Sequence, residues 1–163
     1  MYIVEDLYAF SNGSVKKMIS TIITNPCFHA LCLHRVASLF YRIHLSPISK
    51  LVWYINRMIF HMDIDYRCNL AGGVCIKHGL GLVIGKDVVS EGRLTLYQGV
   101  TIGGSGRERE YEGKIIDQPI LKSNVICYTD AKIFGPVVIG QNNKIKAGRI
   151  VCEDLGDWKE NET

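Results

Sequence analysis

The sequence predicts a mainly β protein in which a parallel β-helix follows a short α-helical segment. An aliphatic side chain recurs at every sixth position in two rows: Ile64, Leu70, Ile76, Leu82, Val88, Leu94 and Val100, then Leu121, Cys127, Ile133, Ile139, Ile145 and Val151. A helix repeats about every 3.6 residues and a strand every two, so neither explains this spacing. A chain that coils with three short faces per turn, each about six residues long, does explain it.

The first part of the chain has helical periodicity. Between about Lys16 and His61 the apolar residues follow a helical spacing, as in the stripe Ile48, Leu51, Val52, Ile55 and Ile59. Asn25-Pro26 and Ser46-Pro47 are each typical of a helix start, with a capping residue followed by proline. We therefore assign residues 1–62 to an N-terminal helical segment, and expect it to pack on the base of the coil or on a partner subunit.

The repeat predicts a β-helix over residues 63–152. Its phase shifts by two positions between Gly81 and Ile84. Residues 103–118 break the repeat with a polar, glycine-rich stretch, which we interpret as a loop leaving the coil. Residues 153–163 form an acidic C-terminal tail that we expect to be frayed.

Charge and hydropathy restrict the class of protein. The chain has 163 residues and a formal net charge of +3, too small to indicate a nucleic-acid partner. No acidic residue lies between Asp6 and Asp63, although six basic residues do. This basic segment, residues 15–61, either contacts an anionic membrane or pairs with acids elsewhere in the fold. The chain shows no secretory signal and no apolar stretch of about 18 residues, so we expect a cytoplasmic protein, or one at the inner membrane face.

Six cysteines, at positions 27, 32, 68, 75, 127 and 152, show neither a CxxC pair nor a zinc spacing. We expect reduced thiols. Cys127 lies on the inward row, where it acts as a small hydrophobic residue, although a catalytic thiol is an alternative.

One histidine beside the repeat suggests a chemistry. His78 lies between Lys77 and Gly79 at an expected corner of the coil, where it can project with little crowding. Imidazole titrates near neutral pH, so a histidine can accept a proton from a hydroxyl. Asp63 comes fifteen residues earlier, just under one turn of about 18 residues, and could orient the ring. The alternative is an ordinary surface histidine and a strand-end aspartate.

Several motifs resemble the hexapeptide-repeat acyltransferases, and most of all their serine acetyltransferase branch. The motifs are Asp63-Ile64-Asp65, the stretch from Ile76 to Gly85 (IKHGLGLVIG), the stretch from Leu96 to Gly106 (LYQGVTIGGSG), and the helical stretch Asn25-Pro26-Cys27-Phe28-His29-Ala30-Leu31 with His34-Arg35-Val36-Ala37 after it. Together they span about residues 25–151.

The resemblance implies a left-handed parallel β-helix that forms homotrimers, or pairs of trimers, with active sites between neighbouring coils. It implies acetyl-CoA as donor and no metal. His78 matches the general base and Asp63 its supporting carboxylate. The positions that match the family's coenzyme A site are Gly103, Gly104, Thr129, Lys132, Ala147 and Gly148. Thr129 is bulkier than the alanine common there.

Three departures concern the acceptor. Lys77 replaces the family's aspartate before the histidine, and Asp117 and Gln118 replace an Arg-His pair that binds the serine carboxylate. Such changes reverse the charge of a serine site. They favour a sugar hydroxyl of a capsular, exo- or lipopolysaccharide, free or lipid-linked, as acceptor. Serine O-acetylation with an altered pocket is the alternative, and a non-catalytic β-helix scaffold is the alternative of another class.

Overall fold

The computed structural model describes residues 2–159. Four helices precede the coil: α1 (Tyr2–Ser11), α2 (Val15–Thr24), α3 (Pro26–Arg42) and α4 (Ser46–Phe60). Asn25 caps α3 by accepting a hydrogen bond from the Phe28 amide at 3.1 Å, and Pro26 takes the first helical position, as the sequence predicts. None of the helices within residues 2–159 is long and apolar enough to cross a bilayer.

Within the described part of the chain, fifteen short strands follow the helices. They are β1 (Asp63–Ile64), β2 (Asn69–Leu70), β3 (Val74–Ile76), β4 (Val83–Ile84), β5 (Val89–Ser90), β6 (Leu94–Leu96), β7 (Thr101–Gly103), β8 (Arg109–Tyr111), β9 (Lys114–Ile116), β10 (Ile120–Leu121), β11 (Val125–Cys127), β12 (Lys132–Phe134), β13 (Val138–Ile139), β14 (Lys144–Ile145) and β15 (Ile150–Val151).

The strands form three parallel sheets, which are the three faces of a coil. The first face has the order β1-β4-β7-β12-β15, the second β13-β10-β5-β2 and the third β14-β11-β6-β3. Each strand therefore pairs with the equivalent strand one turn along the coil. This topology confirms the parallel β-helix that the six-residue period predicts.

The core is a set of aliphatic ladders inside the coil. On the first face the buried ladder is Ile64, Ile84, Ile102, Ile133 and Val151, and on the third face it is Ile76, Leu96, Cys127 and Ile145. Because aliphatic side chains of successive turns stack on one another along the axis, they exclude water and form one continuous core. Every member of the two predicted rows is buried.

The helical segment is joined to the first turn of the coil by a buried ion pair. Asp6 in α1 accepts hydrogen bonds from the amides of Gly73 and Val74 at 3.0 and 2.9 Å. It also accepts from Arg35 of α3, whose Nε lies 3.0 Å from Oδ2. α1 and α3 therefore close the lower end of the coil. This agrees with the expectation that the helical segment packs on the base of the coil.

The stripe expected on α4 does not pack against the coil. Instead α4 buries two small polar side chains against α3, where Ser49 Oγ donates to the Ala37 carbonyl at 2.7 Å and Asn56 Nδ2 to the Ala30 carbonyl at 3.0 Å. Ile48, Leu51, Ile55 and Ile59 are exposed in the single chain. Periodicity found the stripe, but it could not say which face the neighbouring helix would cover.

Two peripheral segments differ from their expected form. Within residues 103–118, β8 and β9 pair as an antiparallel hairpin, whose turn has positive φ at Glu112 and Gly113. The tail was expected to be frayed, but residues 153–159 pack along the coil. Leu155 bridges to Ile139, and Asp157 Oδ1 accepts from the Gln141 amide at 2.7 Å. Residues 160–163 lie outside the described part.

Candidate active site

His78 lies on a two-residue bulge at the corner where the chain passes from the third face to the first. Asp63 pairs with Val83, 20 positions later, whereas Val83 pairs with Thr101, 18 positions later. The Lys77 amide donates to Leu96, and the Leu80 carbonyl accepts from Gly99, so the two extra residues are His78 and Gly79. The phase shift therefore lies before Gly81, not after it as the sequence suggested.

The bulge turns the imidazole away from the core. His78 and Lys77 are exposed, whereas Gly79 between them and the coil is buried. A β-carbon on residue 79 would collide with the buried side chain of Met62. Glycine at this position thus lets the bulge close tightly over Met62, which leaves His78 free to project from the corner.

Asp63 lies one turn below the same corner, and α4 holds its carboxylate. Trp53 Nε1 donates to Oδ1 at 3.0 Å, and Arg57 Nη1 lies 3.1 Å from Oδ2. Within residues 2–159 no hydrogen bond joins Asp63 to His78, so the pairing of these two residues stays a prediction. Sequence analysis missed Trp53 and Arg57, whose spacing of four on a helix was the available signal.

An aromatic side chain flanks the histidine. The Tyr97 ring lies 6.2 Å from the His78 ring, and Tyr128 lies 5.4 Å from Tyr97 on the next turn. Both tyrosines are half-buried. The rings of His78, Tyr97 and Tyr128 therefore lie in a row on the outer surface of the coil, one on each of three successive turns. Sequence analysis included Tyr97 in a motif but assigned it no role.

Four of the six predicted coenzyme A positions lie along this corner on the higher turns of the coil. The Gly148 amide donates to the Thr129 carbonyl at 2.9 Å, and Ala147 occupies the position equivalent to Thr129 one turn on. Lys132 begins β12, and its Nζ donates to the Asp130 carbonyl at 3.2 Å. His78, Thr129, Ala147, Gly148 and Lys132 therefore form one continuous strip.

The remaining predicted residues lie at the opposite end of the first face. Gly103 ends β7, and its carbonyl accepts from the Gly135 amide at 2.9 Å. Gly104 follows it, and the hairpin returns to the same place at Asp117 and Gln118. Gly103 lies three residues past Val100 at the His78 corner, a distance of roughly 10 Å along the strand.

Gln118 is the buried member of this second group. Its Nε2 lies 3.3 Å from Asp117 Oδ2, and its Oε1 has no hydrogen-bond partner among the described residues. A β-carbon on Gly85 would lie 3.5 Å from that oxygen. The amide is thus held against glycine backbone of two successive turns, next to the predicted acetyl-binding backbone.

The structure argues against Cys127 and Cys68 as nucleophiles. Burial raises the pKa of Cys127 to about 12, so this side chain is a thiol at neutral pH. Burial also raises the pKa of Cys68 well above its usual range.

A parallel β-helix with a histidine bulged from one corner defines the hexapeptide-repeat acyltransferase class. A comparison with protein-family models finds no match. The chain is 35% identical over 137 residues to a serine acetyltransferase of Synechococcus elongatus, covering 84% of this chain and 54% of the relative. It is 32% identical over 130 residues to that of Helicobacter pylori, covering 80% of this chain and 73% of the relative.

Solved structures give the same result. A serine acetyltransferase from Brucella abortus in complex with coenzyme A superposes with a TM-score of 0.85 at 26% identity, over 96% of this chain and 61% of that one. One from Neisseria gonorrhoeae in complex with serine gives 0.84 at 26% identity, over 96% and 63%. The chain belongs to the serine acetyltransferase family, and its fold is the left-handed parallel β-helix. It spans 54% and 64% of the length of the first curated relatives.

Proposed function

We propose that the chain is an acetyl-CoA-dependent O-acetyltransferase with His78 as its general base. The observation that carries the proposal is the strip from His78 to Gly148 along one corner, in a chain of the serine acetyltransferase family. Coenzyme A bound to the related Brucella abortus enzyme supports this donor. In the proposed complex the thioester lies between His78 of one protomer and Gly103 and Gly104 of the next, and the pantetheine arm follows Thr129, Ala147 and Gly148.

The proposed reaction is a direct transfer. His78 takes the proton of the acceptor hydroxyl as its oxygen attacks the thioester carbonyl and forms a tetrahedral intermediate. The carbon–sulfur bond then breaks, the acetyl ester remains on the acceptor, and the thiolate of coenzyme A takes the proton back from His78. Asp63, held by Trp53 and Arg57, stabilises the charged imidazole. No covalent acyl-enzyme and no metal is needed.

Serine is the acceptor that the comparisons favour, rather than the sugar that the sequence departures favoured. The relatives are serine acetyltransferases, and the Neisseria gonorrhoeae structure contains serine. We therefore propose serine O-acetylation first. Mass spectrometry of the product with acetyl-CoA and L-serine tests it directly. Formation of O-acetylserine supports it, and its absence while a sugar is acetylated rejects it.

A saccharide acceptor is the second candidate, and the charges at the site support it. Lys77 and Asp117 have signs opposite to those a serine amine and carboxylate require, and Gln118 is neutral. With serine as acceptor, Asp117→Asn removes a repulsion and should raise kcat/KM for serine several-fold. With a neutral saccharide as acceptor, the same variant should leave serine unused, and acetylation of an oligosaccharide panel should identify the substrate.

We further propose that the active site is completed between protomers of a homotrimer in the cytoplasm. The two groups of site residues flank the first face, whose exposed side chains include Val83 and Ile150. Exposed apolar side chains on a sheet face favour packing against another protomer. Native mass spectrometry tests this: a trimer is expected, or a pair of trimers, and a monomer with full activity would reject it.

A further inference from the structure

α2, like α4, exposes its apolar stripe and buries a polar side chain. Its apolar stripe, Val15, Ile19, Ile22 and Ile23, is exposed, with exposed fractions of 53–69%. The side chain that α2 buries is the polar Thr21. Residues spaced by three, four and seven lie on one side of a helix, so these side chains form one continuous apolar surface along the ten-residue helix.

The charge of α2 restricts what can cover this surface. Lys16 and Lys17 lie on α2, both are exposed, and neither takes part in an ion pair of the described residues. Acidic residues are absent from positions 7–62 of the sequence. Of the four other basic residues of this segment, Arg35 pairs with Asp6, Arg57 pairs with Asp63 and Arg42 donates to Asn69 Oδ1 at 3.1 Å, while Lys50 is exposed on α4. Lys16 and Lys17 thus place two adjacent positive charges beside the apolar stripe.

A second copy of this helix is a poor occupant. An isologous contact through this stripe would bring Lys16 and Lys17 of both protomers together, and α2 itself has no carboxylate to pair with them. The exposed carboxylate of α1, Glu5, lies against Gly72 of the coil. α4 also exposes an apolar stripe, but Trp53 and Arg57 tie that helix to the candidate active site. α2 has no such role.

We propose that α2 docks this protein on an anionic lipid surface. An apolar stripe flanked by lysines, on a helix too short to span a bilayer, is the pattern of a helix that lies in the headgroup region. The stripe enters the acyl boundary and the lysines contact anionic headgroups, whose attraction for basic side chains falls off within a Debye length. This binding is independent of the proposed acetyl transfer.

Vesicle sedimentation with the full chain tests the proposal. Phosphatidylcholine vesicles containing roughly one-quarter phosphatidylserine should pellet the protein, while vesicles of phosphatidylcholine alone should pellet far less. Binding should fall as the salt rises from about 0.05 to about 0.5 M. The double variant Ile19→Glu and Ile23→Glu should lower the bound fraction about ten-fold or more. Because both side chains are exposed, this variant should keep its circular dichroism spectrum.

Two further variants separate the contributions. Lys16→Glu with Lys17→Glu should abolish the preference for phosphatidylserine. Ile115→Glu, an equally exposed apolar position on the hairpin (66% exposed), should bind vesicles as the parent does. The proposal is overturned if the parent does not bind anionic vesicles, or if the α2 variants bind as well as the parent. If the parent does not bind vesicles and the Ile19→Glu and Ile23→Glu variant forms a smaller oligomer than the parent, α2 packs on a second copy of the chain and the proposal is overturned.

Discussion

The side chain of Gln118 occupies the space that a β-carbon on Gly104 would need. The ideal β-carbon position lies 2.5 Å from Gln118 Nε2 and 3.0 Å from the Asp117 carbonyl oxygen. The hairpin that starts after Gly104 therefore returns to pack directly on its own starting point. This contact connects a predicted acetyl-binding backbone to two predicted acceptor-binding side chains.

Gly104→Ala should consequently weaken coenzyme A binding and acceptor binding, and should also destabilise the fold. The added methyl must displace Gln118 or the Asp117 backbone, a steric conflict that costs about 1–3 kcal/mol of unfolding free energy. The affinity for coenzyme A and the KM for the acceptor should both worsen. Urea unfolding and calorimetric titration with coenzyme A measure these effects.

Gly103→Ala is the matched control. A β-carbon there has no heavy atom within 4 Å, and Gly103 does not have a positive φ. Its unfolding free energy should stay within about 0.5 kcal/mol of the parent. If its affinity for coenzyme A is also unchanged, the assignment of Gly103 to the donor site is wrong.

Trp53→Phe should lower kcat without changing the KM for acetyl-CoA. The variant removes the Nε1–H donor that holds Asp63 Oδ1 at 3.0 Å while keeping an aromatic ring. A less well oriented Asp63 would support the His78 imidazolium less, so we expect a loss of about ten-fold in kcat. Trp158→Phe, at the far end of the chain, should keep the parent kcat. Equal rates for the two variants would mean that the Trp53–Asp63 contact is only structural.

Asp6→Ala should destabilise the fold strongly. It leaves the Arg35 guanidinium, whose side chain is 9% exposed, without its carboxylate. It also leaves the Gly73 and Val74 amides without an acceptor. Breaking a buried ion pair from one side costs about 3–5 kcal/mol.

The exposed pair Glu91–Lys122 provides the comparison. Lys122 Nζ lies 2.9 Å from Glu91 Oε1 at the surface, and Glu91→Ala should cost less than about 1 kcal/mol. Chemical denaturation of both variants at one protein concentration measures the difference. Similar losses would show that Asp6 does not anchor the helical segment.

Protein stability should decrease as the pH falls below about 6.5, the ordinary value for a histidine. Burial lowers the pKa of His34 to about 3, and the nearby Arg35 adds to the effect. The unfolded chain therefore binds a proton in this window that the folded chain does not, which favours unfolding by up to about 1.4 kcal/mol per pH unit.

His34→Leu should flatten this dependence between pH 7 and pH 5, and the exposed His44→Asn should preserve it. Urea midpoints at the two pH values distinguish the variants. An unchanged slope in His34→Leu would mean that another group titrates on unfolding.

The inward rows of the coil could be predicted from the sequence because burial at a fixed period leaves a direct trace in residue type. The bulge at His78 could be detected only as a phase shift, since Leu82 and Ile84, which lie two positions apart, are both buried aliphatic residues. Its position needed the backbone pairing of Leu80 with Gly99. The contact of Asp63 with Trp53 left only an indirect signal, the spacing of four between Trp53 and Arg57, and that spacing does not identify the carboxylate they hold.

The helices illustrate a different limit. Hydrophobic periodicity assumes that the apolar stripe faces the core, and α2 and α4 bury polar residues instead. Similarly, composition suggested a frayed tail, but Asp154 Oδ1 accepts a hydrogen bond from the Val138 amide at 2.8 Å and fixes residues 153–159 on the coil. Charge alone could not reveal that these acids cap exposed backbone amides.

The most direct test of the account is the release of the coenzyme A thiol from acetyl-CoA, measured for the parent and for His78→Ala with L-serine and with a panel of saccharides. We expect acceptor-dependent release by the parent at roughly 1 per second or faster. The variant should be slower by about 10²-fold or more, with its assembly and coenzyme A affinity intact. Acceptor-dependent release at the same rate in His78→Ala would contradict the central claim that His78 is the general base.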